Sequence, residues 1–99
     1  MNDPFFPLRA RFVDRSRDQL AALRLFLSGG EALTAATADG QLLKIAHSLA
    51  GAGGTFGFPD VSVLASRLEI LLTADDAIEP KDVSGALGAL IAELERLTP

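Results

Sequence analysis

Apolar residues recur at intervals of three and four positions along this chain, and glycine or proline separates the segments that carry them. This spacing is the period of a helix that buries one side. Proline suits the first turn of a helix, and glycine suits the position just after its end. The pattern therefore predicts four amphipathic helices with short connections, which favours an all-α, antiparallel up-down four-helix bundle.

The first predicted helix begins near Pro4 or Pro7 and continues to about Ser28, where a pair of glycines would stop it. Polar Ser16 and Gln19 occupy positions at which its apolar side would otherwise continue. Its expected core residues are Phe5, Leu8, Phe12, Leu20, Leu23 and Leu27, with Val13 and Phe26 beside them. This helix is expected to form one side of the bundle.

The helix that carries the single histidine is expected to start after Asp39, a residue that can cap the free N–H groups of a first turn. It should run to about Phe56 and end at Gly57. Residues 31–38 are rich in alanine and could form a short extra helical segment or the first turns of this helix. Its expected core residues are Leu42, Ala46, Leu49, Gly53 and Phe56.

Proline opens each of the last two predicted helices, at Pro59 and at Pro80, and Asp82 lies in the first turn of the final one. A polar loop over 73–79 separates them. Their expected core residues are Val61, Leu64, Leu68 and Leu71, with Ala65 and Leu72 beside them, and then Val83, Leu87, Leu90, Leu94 and Leu97. The four helices make residues 1–99 a single domain.

His47 lies on the polar side of its helix. At about 100° per residue, the five core positions cluster within about 40° of one direction, and His47 points about 140° away from it. Gly51 and Gly54 follow on the same outward side. Each glycine costs a helix about 0.5–1 kcal/mol relative to alanine, so a partner that approaches the bare backbone would explain them. A lone outward histidine is usually an ordinary surface residue, so its neighbours decide its interpretation.

Those neighbours read H-S-L-A-G-A-G-G-T-F-G-F from His47 to Phe58, and they resemble the phosphoacceptor motif of histidine-containing phosphotransfer (HPt) domains. The phosphotransfer domain of chemotaxis histidine kinases carries a similar H-S-x-x-G-x-x-x-T-F-G-F run. The resemblance is close over residues 45–69 and extends in helix pattern over about residues 8–97. It implies a phosphorelay protein in which His47 accepts a phosphoryl group.

Imidazole suits this chemistry, because its neutral form can attack phosphorus and form a phosphoramidate. A nucleophilic histidine needs its other ring nitrogen held by an acceptor. The resemblance implies that Glu69, twenty-two residues after His47, is that acceptor. Since Glu69 adjoins the core residue Leu68, we expect it at the edge of the next helix; a solvated glutamate is the alternative.

The sequence departs from the HPt pattern at Ala50, where the family usually has a lysine that can pair with phosphoryl oxygens. Lys44, one turn before His47 on the same side, could supply that charge, and Arg67 is a second candidate. Side chains lean toward the N-terminus of a helix, which carries Lys44 away from His47. Without a substitute cation, transfer would be slower or the phosphohistidine less stabilised.

Leu43 and Phe58 lie near the histidine side of the helix and its end. Together with Gly51 and Gly54 they could form a small apolar docking patch for a partner. Alternatively, Leu43 and Phe58 only widen the apolar side that packs in the core.

Composition excludes several classes of function. No segment approaches the 18 or so apolar residues of a membrane span, and the N-terminus lacks the order of a signal peptide. With no cysteine and one histidine, the usual metal sites are not expected, and a reducing cytoplasm suits the chain. The net charge of −4 argues against nucleic acid as the main partner. No spare apolar side demands a dimer, so a monomer is expected.

The favoured function is a stand-alone phosphorelay carrier, without a nucleotide or metal site of its own, that is not an enzyme. It would take a phosphoryl group from a receiver aspartate onto His47 and pass it to a response regulator, with a sensor or hybrid histidine kinase upstream. The resemblance implies that the partner receiver brings the Mg²⁺ and a lysine. The starting Met and the lack of a long C-terminal linker favour a stand-alone protein. The alternatives are a domain phosphorylated directly by a kinase catalytic domain, and a non-catalytic bundle that binds receivers.

Overall fold

The structure, a computed structural model, describes residues 6–28, 37, 39–74 and 80–98. It contains the helices α1 (Phe6–Leu27), α2 (Gln41–Thr55), α3 (Pro59–Thr73) and α4 (Pro80–Leu97), and none of the described residues belongs to a strand. The all-α prediction is confirmed. The predicted start before residue 6, the glycine stop at 29–30 and nearly all of the segment 31–38 lie outside the described residues. Within those residues, no helix is long and apolar enough to cross a membrane.

The start of α2 uses both a glycine and a side chain. Gly40 is the N-cap residue and has a φ of 78°, a left-handed conformation that glycine adopts without the steric cost of a Cβ. One residue earlier, the carboxylate of Asp39 accepts the N–H of Gln41 at 2.9 Å. The predicted capping by Asp39 is therefore confirmed, although Asp39 acts from the position before the N-cap.

The end of α2 is a Schellman motif. Gly57 has a φ of 86°, and the N–H of Phe58 donates to the carbonyl oxygen of Gly53 at 2.7 Å. The chain reverses direction here within three residues. Pro59 then begins α3, at a position where a backbone N–H would have no partner within the helix, so the N–H that proline lacks costs nothing. The predicted stop at Gly57 is confirmed, and α2 and α3 form a tight helical hairpin.

Side chains from all four helices meet in one hydrophobic core. Its buried members are Phe12, Leu20, Leu23, Phe26, Leu42, Ala46, Leu49, Val61, Ala65, Leu68, Val83, Leu87, Leu90, Ile91 and Leu94. Burial of apolar surface at about 25 cal/mol per Å² is the main term that stabilises such a bundle. The three-and-four spacing therefore predicts the buried side of each helix correctly.

The predicted core is wrong at the two ends of α1. Leu8 and Leu27 are exposed, because they stand in the terminal turns of the helix at the ends of the core, whereas Phe26 is buried. Four other predicted core residues are only half-buried, namely Phe56, Leu64, Leu71 and Leu97. Residues at the edge of an apolar side meet a neighbouring helix on one flank and solvent on the other.

Ser16 lies on the buried side of α1, as its position in the pattern indicates. It is 1% exposed, and its hydroxyl oxygen has no hydrogen-bond partner in the described part of the structure. A buried polar group without a partner costs about 1–3 kcal/mol. We therefore expect Ser16→Ala to raise the free energy of unfolding by about 1 kcal/mol, measured by urea denaturation. The Ser84→Ala change, at a half-buried position of the last helix, serves as a control that should stay within about 0.5 kcal/mol. A lower stability for Ser16→Ala would show that the hydroxyl is satisfied.

The helices α2 and α3 approach closely because Gly53 has no side chain. A Cβ at Gly53 would lie 3.0 Å from the backbone nitrogen of Ser62. The hydroxyl of Ser62 also donates to the carbonyl oxygen of Ala50 at 2.7 Å. Further toward the start of α2, His47 contacts Glu69. Going back along α2 from Gly53 to His47, the contacted residues move forward along α3 from Ser62 to Glu69. These two helices therefore run in opposite directions.

A salt bridge joins α1 to α4. The Arg24 guanidinium lies 2.8 Å from the carboxylate of Glu95, and both side chains are about half exposed. Exposed pairs of this kind contribute about 0.2–1 kcal/mol, so the α1–α4 contact depends mainly on the core.

Candidate functional site

His47 and Glu69 lie in contact on the α2–α3 hairpin. The His47 side chain is 78% exposed, and its Nδ1 lies 2.5 Å from Oε2 of Glu69. The Glu69 side chain is 28% exposed, because its neighbour Leu68 is fully buried and draws this side of α3 onto the bundle. The hairpin therefore presents the imidazole to solvent with a carboxylate against one of its nitrogens.

The contact with Glu69 decides which nitrogen of a neutral His47 carries the proton. A carboxylate can only accept a hydrogen bond, so Nδ1 must be the donor. The lone pair of the neutral ring then resides on Nε2, on the edge of the ring away from Glu69. The site thus presents an exposed ring nitrogen with a lone pair on the surface of a helix.

The packing contacts between α2 and α3 fix the position of Glu69 relative to His47. The close approach at Gly53 and the hydrogen bond from Ser62 to Ala50 lie one to two turns from His47. Because both contacts involve backbone atoms of α2, they fix the position of the helix itself. Glu69 therefore meets His47 at a defined height along the hairpin.

Two glycines beside His47 differ in their surroundings. A Cβ at Gly51 would meet nothing within 4 Å, so nothing within the chain requires glycine there. A Cβ at Gly54 would lie 3.4 Å from the hydroxyl oxygen of Ser62, which is an ordinary van der Waals contact between α2 and α3. Both residues are exposed, as their place on the helix predicts. The backbone beside the imidazole is therefore bare on the solvent side.

Each of the two helices of the hairpin carries an exposed cation. Lys44 of α2 and Arg67 of α3 are exposed, and within the described ranges neither forms an ion pair. Ala50 is half-buried and packs against the core. Among those same residues, no group of three or more His, Cys, Asp or Glu side chains is placed to hold a metal ion. The charged group in contact with His47 is the Glu69 carboxylate.

Comparison with models of protein families shows which family the chain belongs to. The family model described as Hpt domain matches residues 7–98, nearly the whole chain. The chain belongs to the Hpt-domain family. A search of curated proteins and a search of solved structures gave no match.

Membership of the Hpt family implies a part in phosphorelay by histidine phosphotransfer, with receiver domains and kinases as partners. The resemblance seen in the sequence is confirmed. Hpt domains are phosphocarrier modules and generally not catalytic. His47 is the one histidine in the chain.

The proposed docking residues Leu43 and Phe58 differ in their placement in the Hpt domain. The Phe58 ring stacks on Phe12, with ring centroids 5.0 Å apart, and packs against the core. Leu43 is half-buried. Phe58 therefore supports the core, which is the second of the two alternatives drawn from the sequence, and only part of its surface faces solvent.

Sequence reasoning missed two exposed apolar residues of the Hpt domain, Val63 and Ile70 of α3, which are 50% and 67% exposed. They stand seven residues apart, off the buried side of the helix. Two branched apolar residues at a seven-residue spacing on a polar side would be the signal for them. No pattern in the sequence predicts that the Ser62 hydroxyl donates a hydrogen bond to a backbone carbonyl of α2.

Proposed function

We propose that this protein is a phosphorelay carrier whose His47 accepts a phosphoryl group from the aspartate of a receiver domain and passes it to a response regulator. The observation that carries the proposal is the contact between Nδ1 of His47 and the Glu69 carboxylate, which leaves Nε2 exposed with its lone pair. Hpt-family membership supplies the reaction class.

In the proposed step, the lone pair on Nε2 attacks the phosphorus of the receiver's aspartyl phosphate. The N–P bond forms, the P–O bond to the aspartate breaks, and the aspartate leaves as a carboxylate. Nδ1 keeps its proton throughout, so the phosphorylated ring carries a positive charge. The carboxylate of Glu69 lies against that charge and stabilises it. The reverse sequence returns the phosphoryl group to the aspartate of the next receiver.

The partner completes the electrostatics of the transfer. We propose that the receiver domain brings Mg²⁺, which neutralises charge on the phosphoryl oxygens when it is bound. The bare backbone at Gly51 gives the partner room to bring its aspartate up to Nε2. Lys44 and Arg67 add positive charge around this entry, where the phosphoryl group arrives.

The proposal is tested by incubating the protein with radiolabelled, phosphorylated receiver domains of the source organism. We expect rapid label on the wild type and none on His47→Gln. Equal label on both proteins would contradict the role of His47. Label that arrives only from a kinase catalytic domain with ATP would favour direct phosphorylation. Receiver binding without label would favour a non-catalytic bundle.

Lys44 is expected to supply part of the charge that the family usually places at position 50. Lys44→Ala should slow transfer from a receiver about threefold, because exposed charge interactions contribute about 0.2–1 kcal/mol. Ala50→Lys in the same chain should restore the rate. Lys81→Ala on α4 is the matched control and should change nothing. An unchanged rate for Lys44→Ala would assign the cationic support to the partner alone.

Three further features belong to this proposal. We propose that all four helices alternate in direction as an antiparallel up-down bundle, supported by the α2–α3 contacts. We also propose a cytoplasmic location, which a chain without cysteine suits. A monomer is proposed because the carrier must free its exposed histidine for two successive partners.

A further inference from the structure

The Ser62 side chain of α3 bonds to the backbone of α2, at a place where two glycines let the helices come close. Its hydroxyl donates to the carbonyl oxygen of Ala50 at 2.7 Å. A Cβ at Gly53 would lie 3.0 Å from the backbone nitrogen of Ser62, and a Cβ at Gly54 would lie 3.4 Å from the Ser62 hydroxyl oxygen. The bond to Ala50 therefore depends on the absence of side chains at these two positions of α2.

Two side-chain hydrogen bonds join α2 to α3 within the described part of the chain. One is the bond from Ser62 to Ala50, and the other is the contact between His47 and Glu69. Burial of apolar surface has no preferred direction, whereas a hydrogen bond weakens steeply when its distance or angle changes. These two bonds therefore limit how far α3 can shift along α2.

The two bonds restrain the same pair of helices. On α2, Ala50 follows His47 by three residues, and on α3, Glu69 follows Ser62 by seven residues. A spacing of seven places Ser62 and Glu69 on the same side of α3, about 10 Å apart along its axis. Because each helix moves as one body over this length, the arrangement that forms one bond also forms the other. Each bond therefore favours the other.

We propose that Ser62 is a positioning residue for phosphoryl transfer at His47. Its hydroxyl holds α3 at the position along α2 where the Glu69 carboxylate meets Nδ1. The proton of the neutral ring then stays on Nδ1, and the lone pair stays on Nε2. The inference rests on the proposed function. Ser62 is bonded to Ala50 and not to the imidazole, so it acts through Glu69.

The strength of one hydrogen bond sets the size of the expected effect. A neutral hydrogen bond that forms in only one of two arrangements shifts their ratio by about two- to tenfold. In Ser62→Ala, the Glu69 carboxylate should therefore leave Nδ1 more often. The proton of the neutral ring should then be found on either nitrogen, and a smaller fraction of the molecules should have the lone pair on Nε2.

The test measures the ring nitrogens and phosphoryl loading of the same variants. Protein with ¹⁵N-labelled histidine is examined by nuclear magnetic resonance at a pH where the imidazole is neutral, and loading is followed with phosphoramidate, a small donor. We expect Ser62→Ala to load about two- to tenfold more slowly and the chemical shifts of its two ring nitrogens to move toward each other. Thr98→Ala is the matched control, because it removes a part-buried hydroxyl that donates to the carbonyl oxygen of Leu94 at 2.8 Å, at the end of α4. It should change neither measurement.

Three results would overturn the proposal. The first is an unchanged loading rate in Ser62→Ala. The second is slower loading with unchanged nitrogen shifts, because the hydroxyl would then act without moving the proton on His47. The third is an equal loss of loading in Thr98→Ala, because loading would then follow the overall stability of the domain.

Failure of the proposed function can be told apart from failure of the role of Ser62. If the wild type accepts phosphate from neither phosphoramidate nor a phosphorylated receiver, the proposed function fails. The nitrogen shifts require no phosphoryl donor, so they still report whether Ser62 positions Glu69 against His47. Identical shifts in the wild type and Ser62→Ala would contradict that role.

Discussion

Glu69→Ala is expected to lower the rate of phosphoryl acceptance by about 10- to 100-fold, by analogy with the loss seen when the hydrogen-bond partner of a metal-binding histidine is removed. The physical reason is the contact of 2.5 Å between Nδ1 and Oε2. Without the carboxylate, the proton can reside on either ring nitrogen, the ring can rotate, and the positive charge of the phosphorylated ring loses its partner. The measurement is the initial rate of label transfer from a phosphorylated receiver.

Two matched variants separate the effects of removing Glu69. Glu69→Gln keeps an oxygen that can accept the Nδ1 proton but removes the charge, so its rate should lie between those of the wild type and Glu69→Ala. Glu95→Ala removes a glutamate from the exposed pair with Arg24 and should stay within twofold of the wild type. A Glu69→Ala rate equal to that of the Glu95→Ala control would mean that the carboxylate does not orient His47.

Gly53→Ala is expected to destabilise the domain, whereas Gly51→Ala is expected to stabilise it. A Cβ at Gly53 meets the backbone nitrogen of Ser62 at 3.0 Å and Cγ1 of Val61 at 3.2 Å, so α2 and α3 must separate. Overpacking of this kind costs about 1–3 kcal/mol. At Gly51 a Cβ meets nothing within 4 Å, so the better helix propensity of alanine should add about 0.5–1 kcal/mol.

The pair of glycine variants is measured by thermal and urea unfolding followed by circular dichroism. About 1 kcal/mol shifts the midpoint temperature of a domain of this size by roughly 4–8 °C, so the two variants should differ visibly. A higher free energy of unfolding for both variants would show that α2 and α3 leave room for a methyl group at position 53. If the close approach of α2 and α3 at Gly53 holds Glu69 against His47, Gly53→Ala should also lose transfer activity at temperatures where the variant remains folded.

Gly51→Ala also separates stability from function. The proposed role of Gly51 is to leave room for the partner, so this variant should be more stable yet slower with a receiver donor. Loading by phosphoramidate should be unaffected, because a small donor does not need the cleared backbone. A variant that is more stable and equally fast with a receiver would remove the partner as the reason for glycine at this position.

The buried side of each helix could be predicted from the sequence because it depends on local spacing. The positions of Leu42, Ala46, Leu49 and Gly53 fix one direction of α2, and the outward direction of His47 follows from it. The ends of α2 were also predictable, since Gly57 has the conformation that a helix stop requires. Local chemistry is sufficient for features of this kind.

Features that depend on two helices could not be predicted in the same way. The spacing of the family resemblance places Glu69 opposite His47, but nothing in the sequence gives the closeness of α2 and α3 at Gly53. The stacking of Phe58 on Phe12 joins residues 46 positions apart, and no local pattern encodes that contact.

The most direct test of the central claim is to locate the phosphoryl group on the protein. Protein with ¹⁵N-labelled histidine is phosphorylated by a receiver domain and examined by ³¹P and ¹⁵N nuclear magnetic resonance. We expect a single phosphohistidine at position 47, with phosphorus bonded to Nε2 and a proton kept on Nδ1 beside Glu69. Phosphorus on Nδ1, on another residue, or on no residue at all would contradict the assignment of His47 as the oriented phosphoryl acceptor.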